Sequence, residues 1–152
     1  MLMPNPTSIL TTTSQPGLAV LLVDGSAAIR ESLRAMFKEE PTLCIVAEAD
    51  SRAKALDLFF QHRPDVVLVD VCLPDASGFE LVQCLRQADA HCSLVLMGKG
   101  PDRFVEKVGH LMGATEVCHK KNDLKSVREA LRRLVQLRCP PATSDSPKEN
   151  VN

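Results

Sequence analysis

The chain has 152 residues, of which 45% are hydrophobic and 24% charged, which suits one soluble domain with tails and leaves two full domains cramped. Its formal net charge of −1 excludes a protein that coats a polyanion over its whole surface, and no apolar run approaches the ~18 residues of a membrane span. The total hides an asymmetry: residues 1–98 carry 7 basic and 12 acidic side chains, whereas residues 99–138 carry 10 basic and 5 acidic ones.

Residues 1–17 are rich in Pro, Thr and Ser and read as a flexible arm. They lack the basic region and apolar stretch of a secretory signal. Leu18–Val23 is a continuous apolar run, the pattern of a strand buried on both faces. Ser26–Glu39 follows with Ile29, Leu33, Met36 and Phe37 at helical spacing, and Pro41 stops it. Leu43–Ala47 is a second strand. Asp50 or Ser51 caps a second helix with Leu56, Phe59 and Phe60 on its apolar face. Val66–Val71 is a third strand. Ser77-Gly-Phe-Glu80 has the form of a capping box and opens a helix with Phe79, Val82 and Leu85 inside.

Ser93–Met97 is the fourth strand, and Gly98, Gly100 and Pro101 make a turn. Phe104, Val108 and Leu111 give the apolar stripe of a fourth helix that Gly113 ends. Glu116–His119 is a short fifth strand. Asn122 or Asp123 caps a last helix with Leu124, Val127, Leu131, Leu134 and Val135 inside. Pro140–Pro141 stops it, and residues 139–152 read as a disordered tail or the start of a linker to an output domain. The ordered body is residues 18–138. Five β/α units in that length give an α/β fold, one parallel sheet with helices on both faces.

Ligand sites of such sheets lie beyond the carboxyl ends of the strands. There the sequence places Asp24 and Gly25, then Asp70, then Gly98, then His119 and Lys120. Asp24 taken alone could cap the following helix, and Lys120 alone could be a surface residue. Asp70 is harder to explain by packing, because it interrupts Val-Val-Leu-Val-Asp-Val. Two carboxylates and one lysine gathered from three strand ends have a chemical use. The ammonium and a divalent cation relieve the carboxylates' repulsion, and one Asp attacks a phosphoryl group.

The six cysteines form no CxxC pair and no zinc spacing, and they read as reduced structural residues of a cytosolic protein. Cys44 and Cys118, inside strand-like runs, read as small buried hydrophobes. His62, His91, His110 and His119 are scattered and read as surface or strand-end residues. No Trp or Tyr offers a stacking platform for single-stranded nucleic acid. No GxGxxG follows the first strand, which weighs against a nucleotide- or flavin-binding protein on a similar sheet. Lys125, Arg128, Arg132 and Arg133 fall opposite the last helix's apolar stripe, as a solvated face or as a partner surface.

Over residues 18–138 the chain resembles the receiver domain of bacterial two-component response regulators. The resemblance rests on Val23-Asp24, Asp65-Val-Val-Leu-Val-Asp70, Leu73-Pro74-Asp75-Ala-Ser-Gly78, Gly113-Ala114, and Lys120 seven residues past Gly113. It implies a flavodoxin-like (βα)5 fold with strand order 2-1-3-4-5. It implies Asp70 as phospho-acceptor, with Asp24, Asp70 and the Cys72 main-chain carbonyl as ligands of Mg2+. It implies that Lys120 contacts the phosphoryl group. A histidine kinase or phosphotransfer protein is the implied donor, with a downstream protein target, and a homodimer through helix 4, strand 5 and helix 5 is a further implied contact. No enzymatic activity is implied beyond assistance to the domain's own phosphorylation and dephosphorylation. Direct DNA binding is not expected, since no helix-turn-helix follows residue 138.

Three positions depart from the family pattern. Gly25 stands where a second acid normally ligates the metal, which weakens Mg2+ binding. Gly98 stands where a Thr or Ser follows the phosphoryl group, and Val117 stands at the aromatic switch position. The Gly98–Pro101 loop is therefore expected to be mobile. Two readings follow: a receiver that still accepts phosphoryl groups, or a pseudo-receiver that keeps the fold as an interaction module.

Overall fold

The computed structural model describes residues 17–138. The expected arm (apart from Gly17), the tail from residue 139 and the proline stop lie outside the described residues. The elements alternate strictly: β1 Leu18–Val23, α1 Ala27–Phe37, β2 Leu43–Ala49, α2 Arg52–His62, β3 Val66–Asp70, α3 Gly78–Ala88, β4 Ser93–Gly98, α4 Arg103–Met112, β5 Glu116–His119 and α5 Lys121–Arg138. The five strands form one sheet in the order β2-β1-β3-β4-β5, every pair parallel. The expected strand order and layering hold, while β2 runs two residues further than the sequence suggested and β3 stops at Asp70.

The strands' continuous apolar runs feed two cores, because side chains alternate between faces with period two. Leu18, Val20, Leu22, Val66, Leu68, Val95, Met97 and Cys118 pack against α1 and α5. Leu21, Val23, Val67, Val69, Leu94 and Leu96 pack against α2, α3 and α4. Asp24, Asp70 and Lys120 continue the first of these rows: each lies two residues beyond a side chain of the α1/α5 face. The alternation that builds this core thus sets all three in phase at one sheet edge. Gly98 and Val117 belong to the other phase, on the α4 side.

Helix starts follow simple chemistry. The Ser26 and Ser51 hydroxyls accept from the N–H groups of Ile29 and Lys54, and Asp102 accepts from Phe104 and Val105. Ser77 caps α3, but its hydroxyl accepts from Phe79 and not from Glu80, so the expected capping box does not form. Gly113 ends α4 in the left-handed conformation, at φ 114°.

Other expectations change. Neither Asn122 nor Asp123 is an N-cap. Asn122, Asp123 and Leu124 all have positive φ (56°, 53° and 64°), a left-handed turn between β5 and the helical run of α5. Cys44 is exposed, because β2 is an edge strand. Phe60 is 49% exposed under the Arg63 guanidinium, and Phe79 is only half-buried. On α4 the expected stripe faces outward: Phe104 is 68% and Leu111 75% exposed. The inward face is Val105, Gly109 and Met112. Gly109 lets the helix approach so closely that a methyl group there would meet Val117 Cγ2 at 2.8 Å and Leu96 Cδ2 at 2.9 Å.

The sequence's charge asymmetry is partly cancelled in space, along the arginines of α5. Arg132 pairs with Glu40 at 2.7 Å, Arg133 with Glu116 at 2.8 Å and Arg128 with Glu39 at 3.7 Å. Arg138 donates to the Asp65 and His91 carbonyls and to Ser93 Oγ, fastening the end of α5 to the amino edge of the sheet. Among the described residues no helix is long and apolar enough to cross a membrane.

Candidate phosphoryl-acceptor site

At the carboxyl edge of the sheet, Lys120 joins two acids from separate strands. Its Nζ lies 2.8 Å from Asp24 Oδ2 and 3.0 Å from Asp70 Oδ1. Asp24 is fully buried and Asp70 is 8% exposed. The other Asp24 oxygen accepts the Ser26 N–H at 2.8 Å, and the Asp24 carbonyl accepts from the Arg30 guanidinium at 2.6 Å. Asp24 is therefore no helix cap. It is a buried counter-charge whose oxygens are both engaged, while Asp70 is the acid that reaches the surface.

Burial pushes the Asp70 carboxyl above the ordinary carboxylate range, and the nearby Asp24 charge adds to this. Hydrogen bonding and charge from Lys120, with an N–H from Cys72, pull the other way without cancelling it. For Lys120, burial favours the neutral amine, but the hydrogen bonds and charges of the two carboxylates outweigh it, so its ammonium is held above the ordinary lysine value. Two acids against one ammonium leave the cluster with an unbalanced negative charge in a half-dry setting, and such a site attracts a cation.

The loop after β3 is rigidly placed. The Gly78 N–H donates to the Val71 carbonyl at 2.6 Å, and Cys72 bridges Ser77. A side chain at position 78 would overlap the Asp70 carbonyl oxygen, so glycine is required there. Asp75, which the sequence showed only as part of a motif, accepts the N–H groups of Arg52 and Ala53 at 2.8 and 3.1 Å. It ties this loop to the start of α2, and those N–H groups hold its carboxyl below the ordinary range.

Among the described residues no three His, Cys, Asp or Glu side chains converge as a metal cluster. The donors that do gather are the hard carboxylate oxygens of Asp24 and Asp70, and with the excess negative charge they fit Mg2+ in type and sign. Gly25 adds no ligand. Its Cβ position is tight, with Pro74 Cδ at 3.2 Å and the Asp50 carbonyl oxygen at 3.7 Å, so a side chain there needs Pro74 to give slightly. At the β4 end a Cβ on Gly98 would find its nearest neighbours, Gly100 O and Val105 Cγ1, at 3.6 Å, so it would sit there at ordinary contact distance. Val117 is half-buried against the α2/α3/α4 core.

A five-stranded parallel sheet in this order, with two acids and a lysine at its carboxyl edge, is the architecture of a signalling receiver. The response regulator receiver domain family matches residues 20–132, and the chain belongs to it. The chain is similar to the DNA-binding transcriptional activator DevR/DosR of Mycobacterium tuberculosis, at 38% identity over 113 residues covering 73% of this chain and 50% of that protein. It is similar to a protein-glutamate methylesterase/protein-glutamine glutaminase of Nocardioides sp., at 25% identity over 90% of this chain and 38% of that protein. Among solved structures, the REC domain of the response regulator AraT from Geobacillus stearothermophilus matches with a TM-score of 0.70 and 28% identity, covering 80% of this chain and 95% of that one. The chain thus spans about half the length, or less, of these curated relatives. Receiver domains interact with histidine kinases and downstream effectors and bind Mg2+ at the phosphorylation site.

Proposed function

We propose that this domain accepts a phosphoryl group on Asp70 from a histidine kinase or phosphotransfer protein and signals through a changed protein-binding surface. The observation that carries the reading is the Lys120 ammonium bridging Asp24 and Asp70 at 2.8 and 3.0 Å. The more accessible carboxylate oxygen of Asp70 attacks phosphorus. The phosphorus–nitrogen bond of a phosphohistidine breaks, and its electron pair returns to the imidazole, which takes a proton from solvent. Lys120 offers its ammonium to the developing charge on the phosphoryl oxygens while keeping Asp24 as its buried counter-ion. Asp24, Asp70 and the Cys72 carbonyl would hold Mg2+, which supplies further neutralisation of the transferred group. Two side-chain ligands predict weak binding.

The domain acts on no other substrate, and it works in the cytoplasm on a cytosolic partner. The outward face of α4, with Phe104, Val108 and Leu111, supports a protein target or a homodimer through α4, β5 and α5. Arginines of α5 are taken up by Glu39, Glu40 and Glu116, which argues against direct DNA binding. A second reading, a phosphorylation-independent interaction module bounded by the arm 1–17 and the tail 139–152, is favoured by Gly25, Gly98 and Val117. Intact mass after incubation with acetyl phosphate decides between them. Gain of one phosphoryl mass that needs Mg2+ and is absent from Asp70→Asn supports the receiver. No gain at any Mg2+ concentration in a folded protein supports the module.

A further inference from the structure

Beside Asp70, on the side away from Asp24, lies a cavity of about 450 Å3 lined by Asp70, Gly98, Lys99, Gly100, Val105 and Lys121 among others. It is open because Gly98 brings no side chain into it. Two lysines, Lys99 and Lys121, are among its lining residues. Among the described residues neither Lys99 nor Lys121 takes part in a salt bridge or a side-chain hydrogen bond, whereas Lys120 already bridges its two acids. Lys121 is held there by shape: a methyl group built on Gly100 would stand 3.0 Å from its Cε and 3.7 Å from its Nζ, so the lysine stem lies across the glycine backbone. The cavity's other acid, Asp102, directs its Oδ1 to the first N–H groups of α4 at 2.9 and 3.3 Å, where the helix dipole offsets its charge.

The charge balance gives these lysines a use. A phosphoryl monoester carries roughly −1.5 to −2 at neutral pH, so its attachment to Asp70 adds negative charge to a cluster already one ammonium short. The missing acid at Gly25 limits what a metal contributes, and the missing hydroxyl at Gly98 leaves the phosphoryl oxygens on the β4 side without a donor.

We infer that Lys99 and Lys121 are phosphoryl-binding residues, which hold the oxygens of phosphorylated Asp70 on the side where a β4 hydroxyl is absent. This rests on the reading of Asp70 as acceptor and deepens it. Both lysines belong to or cover the β4–α4 loop, residues 99–102, so gripping the phosphoryl group draws that loop and the start of α4 toward Asp70. The two ammonium groups thereby supply both the neutralisation and the mechanical link.

The test is titration of the full chain with beryllofluoride, the phosphoryl mimic, in Mg2+, followed by 19F NMR and by the Gly98 and Gly100 amide shifts. The variants are Lys99→Met, Lys121→Met and the double. Lys107→Met on the exposed side of α4 is the charge control, and Asp70→Asn is the blank. Both pocket lysines are exposed, so their variants fold. The inference expects each single variant to weaken binding roughly tenfold, the double further, and Lys107→Met to match wild type. Wild-type affinity in the double variant overturns the inference and leaves Asp70's role standing. An equal loss in Lys107→Met overturns it too, since the effect is then long-range charge. Absence of binding to wild type overturns the reading of Asp70 and the inference with it.

Discussion

Replacing Lys120 with methionine isolates the electrostatics of the site. The substitution keeps the chain's volume and removes the ammonium between two acids whose side chains are only 1% and 12% exposed. Their nearest oxygens lie 2.8 and 3.0 Å from the same nitrogen, hence no more than about 5.8 Å from each other. At an effective dielectric of about 20, two unit charges at that separation repel by about 3 kcal/mol. Breaking a buried ion pair by deleting one partner costs about 3–5 kcal/mol for the same reason. Lys120→Met is thus expected to lose about 3 kcal/mol in urea unfolding at pH 7.5 without Mg2+. The pH dependence has a fixed sign. Asp70's carboxyl already sits above its unfolded value, and loss of Lys120 raises it further. A group with a raised folded-state pKa contributes most below its unfolded pKa, and that contribution is lost as pH rises through the folded value. The variant's deficit therefore shrinks toward pH 5 and grows toward pH 8, and adding Asp70→Asn recovers most of it. A loss under about 1 kcal/mol, or one independent of pH, refutes the argument that Lys120 neutralises a buried acid pair.

Three further outcomes are expected. Gly98→Thr places its Cβ at ordinary contact distance, 3.6 Å from the nearest atoms, so it changes stability by no more than about 0.5 kcal/mol and tightens beryllofluoride binding; calorimetric titration and a thermal melt check both. Gly25→Asp needs Pro74 to give by a few tenths of an ångström and supplies a third side-chain oxygen ligand, so Mg2+ affinity measured by calorimetry rises about tenfold. Asp75→Asn weakens the tie between the β3–α3 loop and α2. Asp75's carboxyl is held low by the Arg52 and Ala53 N–H groups, so its stabilisation is present above the ordinary carboxylate value and vanishes as pH falls through the folded value. Wild type and variant should then differ in melting temperature at pH 7 and converge in acid.

How much of this was legible in the sequence depends on which physical rule each part obeys. The five units and the strand-end positions of Asp24, Asp70 and Lys120 follow from continuous apolar runs and the turn residues between them, which are local and strong, while the strand order follows from the family resemblance. The orientation of α4 did not follow. Phe104, Val108 and Leu111 share a face, but periodicity does not say which face is inward; Gly109 decides that, because only a glycine lets the helix settle onto Val117 and Leu96. The basic last third looked like a free surface because Glu39, Glu40 and Glu116, its partners, lie far away in the chain or on another element. Asn122 and Asp123 fit the composition of a helix cap equally well as that of a left-handed turn, and the descent from β5 into α5 chose the turn. Lys99 and Lys121 carry no pattern of their own. Only the fold brings them to one cavity with Asp70.

The central claim is that Asp70 is the acceptor. Borohydride reduction of the domain after treatment with acetyl phosphate and Mg2+, followed by peptide mass mapping, tests it most directly, because the reagent converts an acyl phosphate at the modified residue and leaves free carboxylates alone. The account predicts conversion at Asp70 and none at Asp24 or Asp75. Conversion at another carboxylate, or none at all in a folded protein with Mg2+ present, contradicts it.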